Sequence, residues 1–74
     1  MTRTFILEDL DCAHCAGIIE EKIQKLSAVK SAQLSFMSRR LLIDAEEGDF
    51  DKIIKECKKI IKKTEPDVEM VEAK

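Results

Sequence analysis

The chain has 74 residues, with 13 Lys or Arg against 15 Asp or Glu and a net charge of −2. That length gives one thin-cored domain, residues 1–74, with little room for a substrate pocket and the shell that supports one. The slightly acidic balance and the lack of Trp and Tyr speak against nucleic-acid binding, and no apolar run approaches the roughly 20 residues of a membrane span.

Thr4-Phe5-Ile6-Leu7-Glu8 predicts a short strand ending near Asp9. Cys12 and Cys15 follow in a connection. Ala16, Ile19, Ile23 and Leu26 then recur at three- and four-residue spacing between charged residues, which predicts an amphipathic helix over 13–27. Val29, Ala32, Leu34 and Phe36 mostly alternate and give a second strand. Met37 to Arg40 is a polar hairpin, and Leu41-Leu42-Ile43 is a third strand. Phe50, Ile53, Ile54, Cys57, Ile60 and Ile61 return to helical spacing and predict a second helix over 49–63. Pro66 stops it, and 67–71 form a last strand. Residues 72–74 read as a frayed tail. The order is βαββαβ, an α+β ferredoxin-like arrangement with two helices on one face of a four-stranded antiparallel sheet.

Three cysteines, an odd number, argue against a disulfide framework and for reduced thiols in the cytoplasm. Met1-Thr2-Arg3-Thr4 has no apolar signal segment behind it. Cys12-Ala13-His14-Cys15 stands where a loop becomes a helix, and this spacing lets two sulfurs face one ion. A helix N-terminus supplies unpaired N–H groups and the positive dipole end, and both favour the thiolate that binds metal. Two sulfur donors suit Zn(II), Cd(II), Hg(II) or Cu(I). Asp11 is either a further ligand or the helix cap. His14 is either a ligand or an exposed residue that lowers the thiol pKa. Cys57, on the apolar stripe of the second helix, reads as a small buried hydrophobe. The lysines of that helix read as a solvated face or a docking patch for an acidic partner. The scattered methionines do not make a copper-binding run.

Leu10-Asp11-Cys12-Ala13-His14-Cys15-Ala16, followed by Ile19-Glu20, Ile23, Leu26 and Val29, resembles the heavy-metal-associated domain. The likeness runs on through Ala32-Gln33-Leu34 and Ile43-Asp44 to Pro66-Asp67-Val68-Glu69. It implies that Cys12 and Cys15 are metal ligands in a chaperone or in the N-terminal domain of a heavy-metal P-type ATPase. Asp9 and Leu10 stand where the family motif has Gly and Met. Asp11 stands where copper members have Thr or Ser. Pro66 aligns with the Lys, Tyr or Phe that copper members place near the metal before the last strand. The last two departures resemble the zinc, cadmium and lead branch. Zn(II) wants about four ligands and accepts carboxylate oxygen, whereas Cu(I) is satisfied by two thiolates.

The expected function is therefore binding of one divalent ion, Zn(II) or Cd(II), through Cys12, Cys15 and Asp11. The ion passes to a P-type ATPase, as a separate monomeric chaperone or as that pump's own domain, with no catalysis by this segment. A Cu(I) chaperone is the alternative. A thiol–disulfide oxidoreductase is a weaker one, because its fold needs a Pro facing the disulfide and Pro66 is the only proline. A closed structural zinc module would need a second ligand pair.

Overall fold

The computed structural model describes residues 1–73. In chain order the elements are β1 (Thr2–Glu8), α1 (Ala13–Gln24), β2 (Val29–Ser35), β3 (Arg40–Ala45), a short 3₁₀ turn (Glu47–Asp49), α2 (Phe50–Thr64) and β4 (Glu69–Glu72). The four strands form one antiparallel sheet in the order β2-β3-β1-β4. This is the expected ferredoxin-like βαββαβ sandwich.

The two periodicities of the sequence meet in one core. Phe5 and Leu7 of β1 and Leu41, Ile43 and Ala45 of β3 alternate onto the buried face of the sheet. Against them pack Ala16, Ile19 and Ile23 of α1 and Phe50, Ile53, Cys57 and Ile61 of α2. Cys57 is wholly buried, as its place on the stripe implies. All six lysines of α2 are exposed. Arg3 lies 4.8 Å over the Phe50 ring and 3.7 Å from Glu72, tying β1 to α2 and to β4.

Element ends differ from the expected ones for local reasons. Helix α1 stops at Gln24 rather than 27, because the Lys25 and Leu26 amides bond three residues back, to Lys22 and Ile23, and tighten the last turn. Strands β1 and β3 run longer than their apolar runs. Their ends are set by pairing, Thr2 with Asp44 and Ser35 with Arg40, not by hydrophobicity. Strand β4 begins at Glu69 rather than 67, since the Val68 amide closes a turn onto the Glu65 carbonyl. Glu72 and Ala73, expected in the frayed tail, are held to β1: Glu72 pairs with Phe5 and the Ala73 amide donates to the Thr4 carbonyl at 2.9 Å. Lys74, the end of that expected tail, lies outside the described residues.

Leu10 is fully buried beneath the connection from β1 to α1. It pins a loop that has no strand or helix of its own. Leu10→Ala should cost about 2–5 kcal/mol of stability, the range for emptying a packed leucine site. Urea unfolding of the metal-free protein checks this.

Candidate metal site

The site is assembled by two chain segments. The first is the entry to α1. Asp9 takes a left-handed backbone with φ 65°, a conformation that Asp adopts more readily than most side chains. This explains how Asp occupies the place of the motif's glycine. The turn brings Leu10 into the core and Cys12 to the N-cap of α1, with extended φ −117° and ψ 109°. The Cys12 sulfur accepts a hydrogen bond from the Cys15 amide at 3.3 Å. A sulfur here does what a Ser or Asp oxygen usually does at a helix start. The cap is thus Cys12 and not Asp11, which lies one residue outside the helix and is exposed.

The second segment is the exit from α2. Glu65 follows the last helical residue, and its amide bonds back to the Ile61 carbonyl at 2.7 Å. That position carries its carboxylate towards the two cysteine sulfurs. One donor atom each from Cys12, Cys15 and Glu65 lies within 4.8 Å of the others. Both cysteines and Glu65 are half-buried. Among the described residues, neither Asp11 nor His14 belongs to such a trio, and His14 is exposed. Glu65 is the residue that sequence reasoning missed. The sequence points to the loop before the last strand, but through Pro66 and not through a donor at Glu65.

The two thiols are not equivalent. Cys12 is lowered from its ordinary value, first by the hydrogen bond from the Cys15 side chain and then by the amides of Cys15 and His14. Cys15 is pushed up to about 12, because its proton is held by the Cys12 sulfur and by the Glu65 carboxylate. Before metal arrives Cys15 therefore holds its proton more tightly than Cys12 does, between two acceptors. A cation reverses this balance, since both sulfurs bind metal as thiolates and the proton must leave. Cys57 is also pushed up to about 12, but by burial.

Two sulfurs and one carboxylate oxygen make a donor set of mixed softness. A tetrahedral Zn(II) with Zn–S bonds of about 2.3 Å places its sulfurs roughly 3.8 Å apart. The two sulfurs thus need to approach by no more than about 1 Å to close on such an ion.

Thiol reactivity should follow this asymmetry. At neutral pH, iodoacetamide should modify Cys12 first, Cys15 more slowly, and Cys57 only on unfolding. Peptide mapping of partly alkylated, metal-free protein checks the order.

Comparison with known proteins agrees with this geometry. Residues 4–67 match the model of the heavy-metal-associated domain. The chain is 37% identical over 60 residues to a cadmium, zinc and cobalt-transporting ATPase of Helicobacter pylori (strain ATCC 700392 / 26695), covering 81% of this chain and 8% of that protein. The chain thus spans only a small part of that relative's length. Among solved structures, the apo-form N-terminal domain of ZntA superposes with a TM-score of 0.70 at 20% identity, covering 99% of this chain and 92% of that one. The N-terminal domain of PacS from Synechocystis PCC6803 gives 0.73 at 22% identity, with coverage of 100% and 98%. The yeast copper transporter domain CCC2A gives 0.71 at 15% identity, with coverage of 99% and 94%. The fold is that of these three domains, and the match over residues 4–67 shows that the chain belongs to the heavy-metal-associated domain family.

Proposed function

We propose that this domain receives one divalent heavy-metal ion, Zn(II) or Cd(II), on Cys12 and Cys15 and passes it to a heavy-metal P-type ATPase. The single observation that supports this choice of metal is the Glu65 carboxylate within 4.8 Å of both sulfurs. A carboxylate adds charge and an oxygen donor that Zn(II) uses and that two-thiolate Cu(I) does not need. The 37%-identical relative, a cadmium, zinc and cobalt transporter, supports the same reading.

Glu65 is the first candidate for the third ligand. Asp11, one residue before Cys12, is the second; its exposed side chain is free to turn towards an ion. With one carboxylate bound, the fourth position stays open to an incoming thiolate, and the ion moves on by ligand exchange without any catalysis by the domain. The domain acts as a monomer on the cytoplasmic side of the membrane, as a separate carrier or as part of the pump itself. Among the described residues no helix is long and apolar enough to cross a membrane.

Competition titration against a chromophoric chelator, anaerobic and reducing, tests the reading. Cys12→Ser with Cys15→Ser should abolish stoichiometric binding of Zn(II) and Cu(I) while the fold persists. Glu65→Gln should weaken Zn(II) and Cd(II) at least tenfold, about 1.4 kcal/mol, and leave Cu(I) unchanged. Asp11→Thr should do the same if Asp11 takes the oxygen position instead. Equal losses for Zn(II) and Cu(I) in both carboxylate variants would refute selection by an oxygen ligand and return the site to the two-thiolate Cu(I) reading.

A further inference from the structure

The sheet has two edges, and the fold treats them differently. At the β2 edge, α1 lays two side chains against the backbone. Glu20 Oε2 accepts from the Leu34 amide at 2.7 Å, and Gln24 Nε2 donates to the Ala32 carbonyl at 2.9 Å. These are outward-facing groups that an incoming strand would need, so the edge is sealed.

The β4 edge has no such cover. The Ala73 amide bonds to Thr4, so alternate residues Glu69 and Val71 face β1, and the amides and carbonyls of Met70 and Glu72 face outward. Among the described residues no side chain hydrogen-bonds to them. Beside this edge lies a groove of about 380 Å³, floored by Ile61, Val68 and Met70 and flanked by Lys58 and Lys62. On the opposite face of the sheet Glu69 stands directly across from Glu8. Like charges so placed are destabilising, and neither has an ion-pair partner among the described residues.

We infer that the open β4 edge is a docking site for an extended partner segment that alternates basic and apolar residues. Its backbone extends the sheet through the Met70 and Glu72 groups. Its basic side chains fall on the face of Glu8 and Glu69, and its apolar ones over the groove. In strand addition the main chain supplies affinity and alternate side chains supply selection. A second copy of this chain fits poorly, because it brings its own Glu8 and Glu69 onto the same face as these carboxylates. The site is distinct from the metal trio, although β4 begins only four residues after Glu65. A partner strand held here lies on the segment that carries that carboxylate.

The test uses the full chain and the peptide acetyl-KVKVK-amide as the probe. NMR-detected amide exchange should slow at Met70 and Glu72 on adding the peptide. Binding should fall at least tenfold with the same peptide N-methylated at alternate residues, with acetyl-EVEVE-amide, and with the Glu69→Lys protein. Equal binding of the N-methylated peptide would show attraction by charge alone and overturn strand addition. Unchanged exchange at Met70 and Glu72 would overturn the location. Protection that grows with protein concentration in the absence of peptide would make a second copy the occupant and overturn the stated partner.

Discussion

The start of α1 is the constraint on which the metal site depends. A helix begins with amides that have no partner within it, and something must accept from them. Here the acceptor is the Cys12 sulfur, bonded to the Cys15 amide. One residue thus satisfies the helix and prepares a ligand. Its thiol is lowered from the ordinary value first by the Cys15 side chain, which donates to it, and then by the amides at the helix end. The anchor for this arrangement is apolar. Leu10, buried two residues earlier, fixes the height of the loop above the core, so Cys12 does not depend on the loop's own rigidity.

The sandwich topology adds what the loop alone lacks. Strands β1 and β4 are hydrogen-bonded neighbours, so the exit from α2 lies beside the entry to α1. Glu65 sits at that exit and closes the trio from 50 residues away in sequence. Its carboxylate also accounts for part of the raised value at Cys15. The carboxylate is thus linked to the thiols before any ion is bound. The same edge position that brings Glu65 to the site leaves β4 uncovered, while α1 seals the far edge at β2.

Much of this was legible in the residues. Period-3.6 and period-2 spacing gave both helices, four strands and the buried role of Cys57, because the core of a small sandwich needs both patterns to agree. Cys12 and Cys15 were legible because their spacing and their place at a helix start are both local. What was hidden is what tertiary structure decides. The strand lengths of β1 and β3 follow their partners across the sheet. Glu65 looks like any surface glutamate until the fold sets it beside the cysteines. Residue preference offers Asp11 as the cap or a ligand, but the N-cap is Cys12, one residue later, and the acceptor is a sulfur. The Glu20 and Gln24 contacts to β2 were hidden for the same reason, since nothing in a helix sequence says which strand edge it overlies.

The central claim is that two thiolates and a carboxylate oxygen share one divalent ion. X-ray absorption at the zinc edge of the one-to-one complex tests it most directly. The account predicts two sulfur neighbours at about 2.3 Å together with oxygen neighbours at about 2.0–2.2 Å, and a changed oxygen shell in Glu65→Gln protein with the sulfurs retained. A shell of four sulfurs, or one with no sulfur, would contradict it. So would an oxygen shell that is identical in the wild-type and in proteins carrying Glu65→Gln and Asp11→Thr.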